Sequence, residues 1–291
     1  LLIQRINLTE KSFAISGTPG IGKSLFFVYI LYRLMNDVKT LSFKPNQVVY
    51  QSGHKYNCFD LQQQIVTDIA YPRAAELVRQ QDTFYVIDGQ KSEPLNSCCV
   101  VLFISSPHSE WYKEFVKQKK AKKWYFPVWT LAELQVCQRH CYRLLPIEML
   151  QERYRICGGV ARLVFHKDYS IPVPKEIQSA LKDVNAVCGV KYVGETTNIF
   201  PSSHVLLQLM VGDDEYGNAY QFTDLDVASQ YVGEQLWICR SFRMISNLQE
   251  MFRGSPNKLS RHLFEIYGHM VFSVGGRTLK CRCLKGVSLP K

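Results

Sequence analysis

The sequence runs to 291 residues, 46% hydrophobic and 21% charged, which gives room for about two packed domains and excludes disorder as the main state. Its longest apolar run, residues 25–32, is eight residues long, far short of the ~20 that a membrane-spanning helix needs. The 35 Lys and Arg against 25 Asp and Glu leave a net charge of +10, which favours anionic partners such as nucleotides, nucleic acid or acidic surfaces without choosing among them.

Residues 11–16 (KSFAIS) predict a short strand, followed by a glycine-rich turn and an apolar helix over 23–34. Residues 48–51 predict a second short strand, and 61–80 a helix broken near Pro72. The runs 83–88 (TFYVID) and 100–105 (VVLFIS) have the length and β-branching of strands buried on both faces of a parallel sheet. Helices are predicted over 110–120 and 131–144. Between them, 124–129 holds Pro127 and can only be an edge strand or a strand end. This alternation predicts an α/β domain over residues 1–165, a parallel sheet flanked by helices. A smaller mixed α/β or helical region is expected over 166–255, punctuated by Pro172, Pro174, Pro201 and the polar stretch 212–217, with an amphipathic period over 225–239. After the turn at 253–257, residues 258–270 predict a helix, 274–277 a turn and 278–284 a strand, in a third unit over 256–291.

Gly17, Thr18, Pro19, Gly20, Ile21, Gly22, Lys23 and Ser24 match G-x-x-x-x-G-K-[ST], a pattern that arises by chance in a chain this long on the order of one time in a hundred. Its glycines let the backbone wrap phosphates at a helix N-terminus. Lys23 would reach the β- and γ-phosphates, and the Ser24 hydroxyl would ligate Mg²⁺. The fold expected is therefore of the P-loop NTPase kind, and the cofactors are Mg²⁺ with ATP or GTP. Asp88, closing an apolar strand, is the second expected Mg²⁺ residue, at the carboxyl edge of the sheet. The residue after it is Gly89, where hydrolysing members of this class often carry a glutamate; Glu93 stands five positions beyond Asp88. Ser105, at the next strand end, would touch the γ-phosphate or orient water, or else belong to a Ser-Pro turn. Arg162, after Gly158 and Gly159, would reach the phosphates from a helical lid or lie on the surface. Lys23, Asp88, Ser105 and Arg162 form the expected catalytic set.

With these elements in place, the chain resembles the Crinkler effectors of oomycetes and the related retrotransposon hot spot proteins of trypanosomes. The resemblance rests on GTPGIGKS (17–24) followed by LFFVYILYRL (25–34), on YVIDG (85–89) and on SSPHSEWYKEF (105–115). It continues through WYFPVWT (124–130) into LAEL (131–134) and GGVAR (158–162), covering most of residues 11–165. It implies a nuclease-like domain downstream, with Glu265 matching the acidic residue of that domain's first helix and the metal-binding core beyond Lys291. It also implies secretion into a host cell and residence in the host nucleus.

The ten cysteines form no C-x-x-C pair, and several lie in apolar runs, which predicts mostly buried, reduced thiols in a cytosol or nucleus. The sequence starts at Leu1, so any targeting segment is expected upstream. Lys113, Lys117, Lys119, Lys120, Lys122 and Lys123, near Trp111, Tyr112 and Trp124, would contact nucleic acid or act as a nuclear import signal, but read better as a solvated helix end. Cys137, His140 and Cys141 look like half a zinc site, but Leu131, Leu134, Cys137 and Cys141 share one helical face and read as core. Phe26, Phe27, Tyr29 and Tyr32 read as a buried helix face.

Three functions follow. The first is a Mg²⁺-dependent NTPase with slow hydrolysis; the second is a non-hydrolysing module whose bound nucleotide switches an interaction with a host protein. The third is the regulator of a C-terminal nuclease acting on DNA or RNA.

Overall fold

The computed structural model describes residues 11–36, 43–89, 92–106, 110–166, 173–187, 205–212 and 219–238, with 262, 265, 266, 268, 269, 272 and 273 near the C-terminus. In chain order the elements are β1 (Ser12–Gly17), α1 (Lys23–Asn36), β2 (Gln47–Ser52), β3 (Lys55–Asp60), β4 (Ile65–Ile69), α2 (Tyr71–Leu77), β5 (Thr83–Asp88), β6 (Val100–Ile104), α3 (Glu110–Lys119) and β7 (Lys122–Phe126). They continue with α4 (Leu131–Cys141), α5 (Ile147–Cys157), α6 (Ala161–Val164), α7 (Lys175–Val187), β8 (Leu207–Gly212), β9 (Phe222–Val227) and α8 (Gln230–Ile238).

Strands with no polar face must be covered on both sides, and β5 and β6 are buried at every position. Their alternate residues feed two apolar clusters. Phe13, Ile15, Phe84, Val86, Leu102 and Ile104 pack under α1. Ala14, Tyr85, Ile87, Val101 and Phe103 face the opposite way, with Leu77 of α2 and Tyr112 and Phe115 of α3. The seven-stranded sheet has the order β4-β3-β2-β5-β6-β1-β7. The strands from β2 to β7 in that order are parallel, while β3 and β4 extend the sheet as antiparallel neighbours. The chain leaves β1, crosses to β2, and returns through β5 and β6 before placing β7 on the far side of β1. The carboxyl ends of β1, β6 and β5 thereby meet at one edge, with Ile15 and Asp88 both in register with Ile104.

Two expectations are corrected here. Residues 61–80 form a turn, the strand β4 and only the short helix α2, because β-branched Ile65, Val66, Thr67 and Ile69 favour pairing with β3. Asp60 Oδ1 closes the intervening turn by accepting from the amides of Gln62 (2.9 Å) and Gln63 (2.8 Å). Pro72 sits in the first turn of α2, where its missing N–H leaves no gap in the helix. Likewise, the helix read over 225–239 begins only at Gln230, since 222–227 pairs antiparallel with β8. As expected, the strand before Pro127 is an edge strand, β7, and it ends at Phe126.

The aromatic run on α1 is also corrected. Phe27 is buried, but Tyr29 and Tyr32 are 40% and 60% exposed, so the run wraps past the buried face. Leu134 is buried, and Leu131 and Cys137 pack against its cluster, while Cys141 is exposed. That third cluster also gathers Leu150 and Ile156 of α5, Leu163 of α6, Ile177 of α7, Leu206 just before β8 and Val232 of α8, and so joins residues on both sides of position 165. Near the C-terminus the described residues are helical, Glu265 among them and exposed, whereas 274–284 lie outside the described residues.

Candidate functional site

The loop between β1 and α1 is shaped by its own lysine. Lys23 Nζ donates to the carbonyls of Gly17 and Thr18, both at 2.9 Å, which curls the backbone around the ammonium. Gly20 and Gly22 take φ of +86° and +98°, a conformation that favours glycine. A Cβ on Gly20 would lie 3.1 Å from both Arg162 and Val160, while Gly22 opens onto space with nothing within 4 Å. Burial, assisted by the like charge of Arg162 and opposed by Asp88, pulls the Lys23 ammonium down to about 8.

Across the carboxyl edge, Asp88 is held on both oxygens. Ser24 Oγ donates to Oδ1 at 3.1 Å and the Tyr50 hydroxyl to Oδ2 at 2.8 Å. Tyr50, on β2, stacks on Phe27 of α1 with centroids 4.4 Å apart, which fixes its ring. Burial first, and then the bond to Asp88, pushes its hydroxyl above the ordinary tyrosine value. Tyr50 was not legible as a site residue, because only the pairing of β2 beside β5 brings it there. Ser105 follows the central strand β6; its side-chain oxygen is buried and without a hydrogen-bond partner.

The helices after β7 are tied to the same loop. Arg162 N donates to Gly20 O at 3.0 Å, and Trp129 Nε1 donates to Ile21 O at 2.7 Å. From the other side, Thr18 Oγ1 accepts from Leu209 N of β8 at 3.0 Å, so Thr18 is part of the scaffold. Pro19, Gly20, Ile21, Gly22, Lys23, Ser24, Asp88, Ser105 and Arg162 all line one cavity of about 630 Å³, together with Trp129, Tyr142 and Phe165 from the helical side. Gly17 is buried beneath it, where a Cβ would come within 2.8 Å of Phe126 O.

Other expected residues fall elsewhere. Glu93 is exposed and lines a separate cavity with Trp111 and Glu114, so it does not stand in for the carboxylate that Gly89 lacks. Lys113, Lys117, Lys119, Lys120 and Lys123 are exposed, but Tyr112 and Trp124 are buried, which leaves only Trp111 to stack on a base. Among the described residues no three His, Cys, Asp or Glu side chains gather as a metal cluster, and no helix is long and apolar enough to cross a membrane. The described cysteines are free thiols; Cys58, Cys99 and Cys157 are buried, Cys137 is half-buried, and Cys98 and Cys141 are exposed.

No protein-family model matches this sequence. Over 161 residues it is 29% identical to Crinkler effector protein 15 and, equally, to Crinkler effector protein 16 of Phytophthora infestans. The alignment covers 53% of this chain and 24% of each relative, so the chain spans about a quarter of the length of the proteins it matches. That similarity, falling on half of the chain, supports kinship with the Crinkler family.

Proposed function

We propose that this chain binds nucleoside triphosphates with Mg²⁺ and hydrolyses them slowly, as the nucleotide-dependent part of a Crinkler-type effector. The observation that carries this reading is the meeting of Lys23, Ser24 and Asp88 at one cavity on the carboxyl edge of a parallel sheet, above β6. Asp88 and the loop belong to strands two apart, and the Ser24 hydroxyl reaches across β6 to within 3.1 Å of the Asp88 carboxylate. A triphosphate tail would lie in the cavity against Gly22 and Lys23, with its metal at Ser24 and Asp88.

Each residue has a separate task. Lys23 uses two of its three donors on its own loop and would present charge and the third donor to the β- and γ-phosphates. Gly22 leaves open the space that an anion needs. The Ser24 hydroxyl and Asp88 carboxylate are hard oxygen donors that suit Mg²⁺, and the ion would neutralise charge on the phosphates. Ser105 has a buried oxygen in need of a partner, which a γ-phosphate oxygen or the attacking water would supply. Arg162 would add charge from the helical side.

A second reading has its own observation. Gly89 follows Asp88, and Glu93 faces another cavity, so among the described residues no second carboxylate lines the site as a general base for water. The bound nucleotide would then act as a switch for a host-protein surface or for a nuclease acting on DNA or RNA, in the host nucleus. Steady-state phosphate release with ATP and GTP tests the pair. Turnover below about 1 s⁻¹, the low end for ordinary enzymes, but above Lys23→Ala, supports slow hydrolysis. Tight binding with no release above that variant supports the switch, and no binding in either protein ends both.

A further inference from the structure

The cavity that holds the loop is lined by two chemically different sets of residues. Lys23, Ser24, Asp88, Ser105 and Arg162 supply charged and polar groups to its lining, and Leu25, Trp129, Cys137, Tyr142 and Phe165 supply apolar wall. The apolar walls are ordered. Tyr142 lies parallel to Phe165, with centroids 4.2 Å apart and planes within 9°, and Trp129 is pinned by its bond to Ile21 O. A bare phosphate or polyphosphate engages only the charged and polar lining and leaves aromatic surface in water. A ligand joining a polyanion to a flat aromatic body satisfies both, and about 630 Å³ is ample for it.

We propose that the wall formed by Trp129, Tyr142 and Phe165 is a nucleobase site that grips the base by its faces and not by its edges, so that ATP and GTP are held alike. This rests on the triphosphate reading above. Strong discrimination between bases needs fixed, buried hydrogen-bonding groups aimed at the base edge. Among the described residues, the side chains of the apolar wall with a group free for a base edge are Tyr142, through its hydroxyl on a residue 40% exposed, and Cys137, through a thiol that is a weak donor. Stacking is tolerant of base identity because every base presents a π face.

A neighbouring cavity of about 540 Å³, between Phe26, Tyr29, Phe126 and the other side of Trp129, is the rival. Among the described residues that line it there is no lysine or arginine, and the Glu133 carboxylate would repel a phosphate chain.

The test is equilibrium binding of ATP, GTP and inorganic tripolyphosphate, each with Mg²⁺, to the chain and to Tyr142→Ala, Tyr29→Ala and Lys23→Ala. ATP is expected to bind at least tenfold tighter than tripolyphosphate, with GTP within about tenfold of ATP. Tyr142→Ala reduces that advantage to a few-fold or less and leaves tripolyphosphate unchanged, while Tyr29→Ala alters neither. ATP should also slow alkylation of Cys137 in the unsubstituted chain where tripolyphosphate does not, with exposed Cys98 as the internal reference; this arm stands even if Tyr142→Ala folds poorly. Equal affinity for ATP and tripolyphosphate, a hundredfold preference between ATP and GTP, or loss of the advantage in Tyr29→Ala alone overturns the proposal. If tripolyphosphate itself fails to bind, or Lys23→Ala binds it normally, the triphosphate reading falls first.

Discussion

Lys23 is a half-buried cation among carbonyls, with the like charge of Arg162 near it and the Asp88 carboxylate to offset them. On the triphosphate reading its behaviour is predictable. Lys23→Ala removes a charge-assisted contact worth about 1.5–3 kcal/mol, so triphosphate affinity should drop roughly ten- to a hundredfold in calorimetric titration. The pH dependence follows from the same position. The ammonium loses its proton near 8 in the ligand-free chain, below the ordinary 10.5, and a bound polyanion favours the charged form. Affinity should therefore be full below pH 8 and fall as pH rises above it, by up to about tenfold per unit; Lys23→Ala should show no such fall. Folding stability runs the other way. The unfolded chain binds more protons between pH 8 and 10.5, so this group's contribution to the empty protein's stability rises with pH across that window. For Asp88, replacement by Asn keeps the shape that Ser24 and Tyr50 hold but removes the charge. Nucleotide binding by Asp88→Asn should lose its Mg²⁺ dependence in a metal titration; an unchanged dependence would show that the ion is held elsewhere.

At the scale of elements, the junction of α5 and α6 is where the helical layer meets the loop, and close backbone approach governs it. A Cβ on Gly158 would lie 1.9 Å from Ala228 O, and one on Gly159 would lie 2.2 Å from Trp129 O. Both contacts are backbone and cannot yield by side-chain rotation. Gly159→Ala should destabilise the fold by about 2–3 kcal/mol and lower the midpoint of thermal unfolding by several degrees. Gly22 makes the contrast. Nothing stands within 4 Å of its absent Cβ, so Gly22→Ala carries only about 1–2 kcal/mol of positive-φ strain, yet it puts a methyl where the phosphates would lie. Its triphosphate affinity should fall well beyond its loss of stability, measured by titration and melting on the same sample. Elements also show where local pattern fails. Residues 61–80 carry enough polar and apolar alternation to read as a helix, but β4 exists because β3 supplies a partner for it.

Over the whole molecule, the strands buried on both faces were legible as continuous apolar runs, since a strand with no solvent face has no polar alternation to show. The loop was legible because its chemistry is contiguous: Gly17 to Ser24 carries the curl, the cation and the hydroxyl in eight consecutive residues. Its convergence with Asp88 depends on β6 lying between β1 and β5. Strand order is set by long-range pairing, and periodicity within any one strand is silent about its neighbours. For the same reason Tyr50, Trp129 and Tyr142 entered the site only through tertiary structure, one across a parallel pair and two from the segments flanking α4. The sequence by itself determined the sheet's buried strands and the glycine-rich turn, because burial and backbone curvature are written locally. Folding decided which side chains face that turn and what covers it, because residues distant along the chain become neighbours only when the sheet closes its order and the helices dock.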